Sequence, residues 1–185
     1  MGELGFELYI ENKDAIEIYQ LIVEEGKNHN LSHCGSHAMD TMRMESGFLH
    51  WGHDISPEEN QYEAGLNFAI NYKKETNFIG KESLLKIKDK KQNRRFIMLS
   101  LKDSKPGIPL LLHEEPIYLE DKIIGRTTSG NYSFNYKKNL SFGYVSSAHS
   151  NEELSKMDLY IEVAKKKFQA VVEITPLKDK HARTL

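Results

Sequence analysis

The sequence predicts an α+β protein: a segment of mixed strand and helix, followed by a small antiparallel β-barrel. Three observations carry this expectation. The hydrophobic period changes at the basic stretch Lys86 to Arg95, from mixed helical and strand spacing to almost wholly strand spacing. Downstream of it, short apolar runs alternate with turn residues and few helical stretches intervene. The chain has 185 residues, 39% of them hydrophobic, enough for one substantial core or two small ones. The boundary is expected at the connector, giving units 1–91 and 92–185.

Taken in order, Leu4, Phe6 and Leu8 alternate with polar neighbours as in a half-buried strand. Asn12 or Asp14 can cap the helix that follows, in which Ala15, Ile18, Tyr19 and Ile22 share one face and Gly26 suits the end. A second helix is expected from a Ser36 cap to Gly47, and a third from Lys81 to about Asp89. The expected strands are Phe96 to Leu101, Ile108 to Leu112, Pro116 to Leu119, Lys122 to Gly125, Leu140 to Val145, Leu159 to Val163 and Phe168 to Ile174. Glu120-Asp121 and Ala164-Lys165-Lys166 can close tight hairpins. Thr127-Thr128-Ser129-Gly130 reads as a turn between strands, with Gly130 at positive φ.

Composition narrows the partners. A formal charge of −2 gives no bulk field toward nucleic acid or an anionic membrane, so neither is an expected partner. No apolar run reaches the length of a membrane span, and no basic n-region precedes an apolar h-region at the N-terminus. The single cysteine, Cys34, excludes an intrachain disulfide and agrees with a reducing, cytoplasmic setting.

The motifs are more specific. Met1-Gly2-Glu3-Leu4-Gly5-Phe6-Glu7-Leu8 resembles the Thr-Gly-Glu-x-Gly-x-Glu element of the folate-dependent aminomethyltransferase (glycine cleavage T-protein) family, with Met1 at the threonine position. Met39-Asp40-Thr41-Met42-Arg43-Met44-Glu45-Ser46-Gly47 is similar to that family's Arg-Asp-x-Leu-Arg-Leu-Glu-x-Gly helix, and Trp51-Gly52-His53-Asp54-Ile55 to its aromatic-Gly-x-Asp-Ile turn. Glu63-Ala64-Gly65-Leu66, Phe78-Ile79-Gly80-Lys81, Ile124 to Gly130 and Phe142-Gly143-Tyr144-Val145 follow in family order. Trp51, Met39 and the ending Thr175-Pro176-Leu177-Lys178-Asp179 look more like the folate domain of dimethylglycine and sarcosine dehydrogenases than a T-protein.

The resemblance implies tetrahydrofolate as cofactor and one-carbon transfer, aminomethyl or methylene, as activity. It also implies that this is the C-terminal part of a larger unit. A missing N-terminal half would carry the catalytic aspartate, so no catalytic residue is assigned here. The chain would pair with that half or self-associate. FAD, used by the dehydrogenases, would lie on a missing segment or a separate chain, since no Gly-x-Gly-x-x-Gly follows a strand. Two other readings stand beside this one: a non-catalytic folate-binding or structural fragment, and a folate-dependent demethylase.

Within the resemblance, Glu7 matches the glutamate that accepts two parallel hydrogen bonds from the pterin's amide and amino edge. The alternative is an outward strand glutamate. Glu3 is expected to order its own loop. Phe68 matches an aromatic lining the folate channel, or is plain core. Arg43 either contacts the ligand or pairs with Asp40 or Glu45. The family arginine that reaches the folate's glutamate tail falls at Met39, which cannot pair with a carboxylate. The His33, Cys34, His37 group and the His50, His53, Asp54 group invite a metal, but Gly35 and a Ser36 cap break the helical spacing that the first would need. Nothing in the sequence activates Cys34 as a nucleophile. The basic connector is a solvated linker, or a contact for polyglutamylated folate or another subunit.

Overall fold

In a computed structural model, residues 4–178 are described. Four α-helices, α1 (Ala15–Gly26), α2 (Ser36–Glu45), α3 (Lys81–Ile87) and α4 (Asn151–Leu154), accompany six strands. The strands are β1 (Arg94–Leu101), β2 (Pro116–Leu119), β3 (Lys122–Ser133), β4 (Lys138–Ser146), β5 (Leu159–Val163) and β6 (Lys166–Glu173). They close into an antiparallel barrel in the order β1-β4-β3-β2-β5-β6. The expected α+β architecture with a small barrel is therefore present.

Side-chain alternation explains the core. Ile97, Leu99 and Leu101 of β1 point into the barrel with Ile117, Leu159, Ile161 and Val172, while Met98 on the opposite face joins Met44, Leu140 and Phe142 in a second cluster under α2. A strand buried on both faces reads as a continuous apolar run. Two-residue hairpins join β2 to β3 and β5 to β6. Glu120, Ala164 and Lys165 take positive φ there, as turns matching the sheet's twist require.

Helix α2 ends in a Schellman motif. Phe48 N–H donates to Arg43 O at 2.9 Å and Gly47 N–H to Met44 O at 3.0 Å, with Gly47 at φ +72°. A Cβ on Gly47 would stand 2.7 Å from Pro176 Cγ, because the chain returns over this helix end, where Lys178 N–H donates to Glu45 O at 2.9 Å.

Several expectations are corrected. Residues 4–10 form no strand: among the described residues they have no ladder partner, and Leu4, Phe6 and Leu8 are exposed. Glu3 and Asp179 lie outside the described residues. The cap of α2 is Gly35, and Ser36 is its first helical residue. Ile108 to Leu112 is not a strand. Pro109 has no N–H for a ladder, and the carbonyls of Lys105 and Ile108 accept from the Asn139 side chain at 3.3 and 3.2 Å instead.

Thr127 to Gly130 is no turn. It lies inside β3, and Gly130 is required by close approach rather than by positive φ, since a Cβ there would meet Leu111 Cβ at 2.6 Å. Helix α4 was not foreseen. It begins in a capping box in which Ser150 Oγ accepts from Glu153 N–H at 3.1 Å and Glu153 accepts from Ser150 N–H at 2.7 Å. No helix among the described residues is long and apolar enough to cross a membrane.

Candidate functional site

The polar residues of the motif helix meet a single buried carboxylate. Asp54, 1% exposed, accepts from Arg43 Nη1 at 2.5 Å, from His50 N–H at 2.8 Å, from Thr128 Oγ1 at 2.6 Å and from Ser129 Oγ at 2.7 Å. Ser129 Oγ in turn accepts from Arg43 Nη2 at 2.8 Å. Adjacent strand residues normally point to opposite faces, yet Thr128 and Ser129 reach one carboxylate. The register shift between Thr127 and Ser129 makes this possible by adding a residue to β3 at that point.

Arg43 also donates Nε to Asp40 at 2.8 Å and Nη1 to Phe48 O at 3.2 Å, and its guanidinium stands 5.6 Å from the Phe142 ring centre. It therefore joins α2, the 50–55 turn and the barrel, and its donors serve the chain itself. The pairing with Asp40 was anticipated and the one with Asp54 was not. Glu45 does not pair with Arg43. It is buried against the barrel and accepts from Ser133 Oγ at 2.6 Å and Asn135 Nδ2 at 2.9 Å.

Two hollows lie on the described surface. An apolar groove of about 760 Å³ runs between the end of α2, the 64–68 segment and the barrel, lined by Phe48, Leu49, Ile55, Leu66, Phe68, Met98 and Pro176 among others. A basic cleft of about 410 Å³ lies beside β1, with Tyr62, Glu63, Lys90, Lys91, Arg94 and Arg95 on its walls. Gly65, Phe96 and Asn151 line both. Arg94 is already paired, at 2.9 Å to Glu59 and 3.6 Å to Glu63, and stacks 5.3 Å from the ring centre of Tyr144. Burial, then the nearby Glu59 carboxylate, pushes the Tyr144 phenol well up, and its hydroxyl meets no partner among the described residues.

The residues singled out from the sequence are dispersed. Phe68 is 83% exposed at the lip of the apolar groove. Glu7 is exposed and accepts from Tyr9 Oη at 2.8 Å, lining neither hollow. Met39 is half exposed on α2. His33 stacks on Tyr19 with ring centres 5.9 Å apart, and His37 stands within the first turn of α2. His50 and His53 rings lie 4.5 Å apart. Among the described residues no three His, Cys, Asp or Glu side chains converge as a metal site would require. Cys34 is exposed.

Comparison with known proteins agrees with this arrangement. The pattern described as GCVT N-terminal domain matches residues 1–74, and that described as glycine cleavage T-protein C-terminal barrel domain matches residues 94–179. Human mitochondrial dimethylglycine dehydrogenase is 35% identical over 180 residues, which is 95% of this chain and 20% of that protein. An aminomethyltransferase of Symbiobacterium thermophilum is also 35% identical, over 80% of this chain and 39% of its own length. The 4-methylaminobutanoate oxidase (formaldehyde-forming) of Paenarthrobacter nicotinovorans is 39% identical over 71% of the chain and 16% of its own. Among solved structures, the glycine cleavage system aminomethyltransferase T of Bartonella henselae superposes with a TM-score of 0.75 at 22% identity, covering 89% of this chain and 45% of that one. The chain thus spans between a sixth and a half of the length of these relatives.

Proposed function

Since the chain belongs to the glycine cleavage T-protein (aminomethyltransferase) family, we propose that it supplies the C-terminal part of a tetrahydrofolate-dependent one-carbon transfer unit. That unit is of the aminomethyltransferase or dimethylglycine/sarcosine dehydrogenase type, and an N-terminal half of the fold completes it. The carrying observation is the uncovered apolar surface of residues 4–22. Phe6 is 85% exposed, and Leu4, Leu8, Tyr9, Ile16, Tyr19 and Leu21 are exposed with it, while α1 buries only Gly26. Apolar exposure on this scale marks an interface. Residues 1–91 would belong with the completing half and residues 92–185 form the barrel unit.

Two separate features carry chemistry that a folate would use. Glu7 offers an accessible carboxylate for the pterin's amide and amino edge, and the groove beside Phe68 offers apolar surface for an aromatic ring. Bound tetrahydrofolate would supply the nitrogen that accepts the one-carbon unit. The chain's part is to hold the ligand in place. Orientation contributes a large share of the rate only when both halves are present. FAD, if used, belongs to another segment.

A second reading is favoured by the buried carboxylates. Glu45 and Asp54 accept hydrogen bonds within the chain, and Glu63 accepts from Asn60 N–H at 3.3 Å, so these acids serve the fold. On that reading the chain is a non-catalytic folate-binding or structural module. Turnover with tetrahydrofolate and an aminomethyl or formaldehyde donor separates the two. The proposal expects none above the solution rate from residues 1–185 alone and measurable turnover once an N-terminal half is added. Inactivity of the reconstituted pair, with both halves folded, would favour the module.

A further inference from the structure

Charge is spread unevenly along this chain. Residues 4–25 carry six acidic side chains and one basic, while residues 73–95 carry nine basic and three acidic. The total of −2 conceals this segregation. Arg94 is paired with Glu59 and Glu63, but no lysine of the 73–95 ridge forms an ion pair among the described residues. Glu17 and Glu25 on α1 are exposed and likewise unpaired. Glu25 stands at the carbonyl end of α1, where a carboxylate is disfavoured, and no basic residue of that last turn offsets it. Both segments also hold apolar side chains in water. Ile16, Tyr19 and Leu21 are exposed on α1, as are Ile79 just before α3 and Leu85 within it. Among the described residues no ion pair or side-chain hydrogen bond joins the two segments within the chain.

We infer that the acidic face over residues 4–25 docks on the basic 73–95 ridge of a second copy of this chain. Apolar side chains rimmed by charge suit a protein contact, and the opposite signs of the two surfaces make each a fit for the other. A two-fold axis closes the assembly: each copy lays α1 on the other's ridge, and both surfaces are covered at once. Nucleic acid would answer the lysines alone and offer nothing to an acidic, apolar helix. The inference rests on the reading that the surface over residues 4–22 is an interface. A second copy and a completing N-terminal half would therefore compete for that face.

Sedimentation of the 185-residue chain at tens of micromolar tests this. A dimer is expected in about 50 mM sodium chloride, with its dissociation constant rising at least tenfold in about 500 mM, where exposed charges are screened over a few ångströms. An interface held by apolar contact alone would not weaken with salt. Replacing three exposed acids, Glu17→Lys, Glu24→Lys and Glu25→Lys, leaves both segments net positive and should give a monomer. Replacing four exposed lysines, Lys73→Glu, Lys74→Glu, Lys90→Glu and Lys91→Glu, leaves both net negative and should do the same. Mixed together, the two variants should recover the dimer, because each again meets its opposite. A wild-type monomer at low salt, a dimer indifferent to salt, or variants that stay apart on mixing with native circular dichroism would overturn the inference. So would a monomer that binds a short oligodeoxynucleotide through the ridge, which would give the lysines to nucleic acid. The proposed function fails separately, if an added N-terminal half leaves the dimer intact and produces no turnover.

Discussion

Arg43 Nη1 and Asp54 Oδ2 stand 2.5 Å apart, with the Asp54 side chain fully removed from water and that of Arg43 nearly so. Breaking a buried pair leaves the survivor's charge less well compensated, here with Asp40 as the remaining partner of Arg43. Asp54→Asn should therefore destabilise the chain by about 2–3 kcal/mol, below the roughly 3–5 of a wholly unpaired buried charge. The same substitution weakens what Thr128 and Ser129 donate to, so the bulge in β3 should loosen. Urea unfolding measures the first effect and amide exchange in residues 127–130 the second. A change under 1 kcal/mol would mean that the pair is not formed in solution.

Gly47→Ala should be damaging although it adds one methyl group. Positive φ costs an L-residue about 1–2 kcal/mol, and the new Cβ would press on Pro176. Loss of stability of at least that size is expected by thermal unfolding. The Pro176→Ala background should recover only the steric part.

Glu7→Gln addresses ligand recognition. In the completed domain the substitution would set an amide donor against a ligand donor and lose a charge-assisted pair, weakening tetrahydrofolate by about 1.5–3 kcal/mol. Calorimetry reads this directly. Stability should not change, because Glu7 is exposed and its side chain accepts a hydrogen bond from Tyr9 on the same surface segment.

The Tyr62 hydroxyl should titrate late. Its removal from water, and then its hydrogen bond with the Tyr72 hydroxyl, push its pKa up from the usual 10.0 to about 12. A raised folded-state pKa on a phenol favours the protonated form, so the stability tied to it is complete below pH 10 and is lost as pH rises toward 12. Phenolate absorbance in wild type minus Tyr72→Phe should show one group moving to lower pH. A Tyr62 midpoint unchanged by the substitution, once the amplitude of the deleted Tyr72 phenol is allowed for, would contradict the contact.

Exposed apolar surface over residues 4–22 should make the isolated chain self-associate or bind an N-terminal half of the fold. A clean monomer in sedimentation at tens of micromolar, with no binding of an apolar dye, would refute this.

The barrel was largely legible because its strands are short, apolar and set off by turn residues. Pro116–Leu119 and Leu159–Val163 have the expected bounds. What escaped depends on partners far along the chain. Thr127 to Gly130 has turn composition, yet the hydroxyls of Thr128 and Ser129 answer Asp54, more than seventy residues earlier, and Gly130 answers Leu111. Local hydrogen-bonding logic cannot see such pairs. Leu4 to Leu8 failed in the opposite sense: alternation signals a strand, but a strand needs a neighbour. Helix α4 was missed although Ser150-x-x-Glu153 is a written capping-box signal. At the site, Arg43 was expected to pair on its own helix and does so with Asp40, but no spacing rule reaches across to the 50–55 turn.

Barrel closure has a consequence for how this unit travels between proteins. Each of the six strands has two neighbours, so none lends its backbone to an adjoining chain and none needs one. A closed ring of this kind can be appended to polypeptides of very different size without rebuilding a sheet at the seam. That suits a sequence which makes up a fifth of one relative and nearly two-fifths of another. Within the chain the ring's outer face is joined to α2, where Met44 and Met98 meet. Methionine tolerates small differences of shape at such a joint better than a branched side chain.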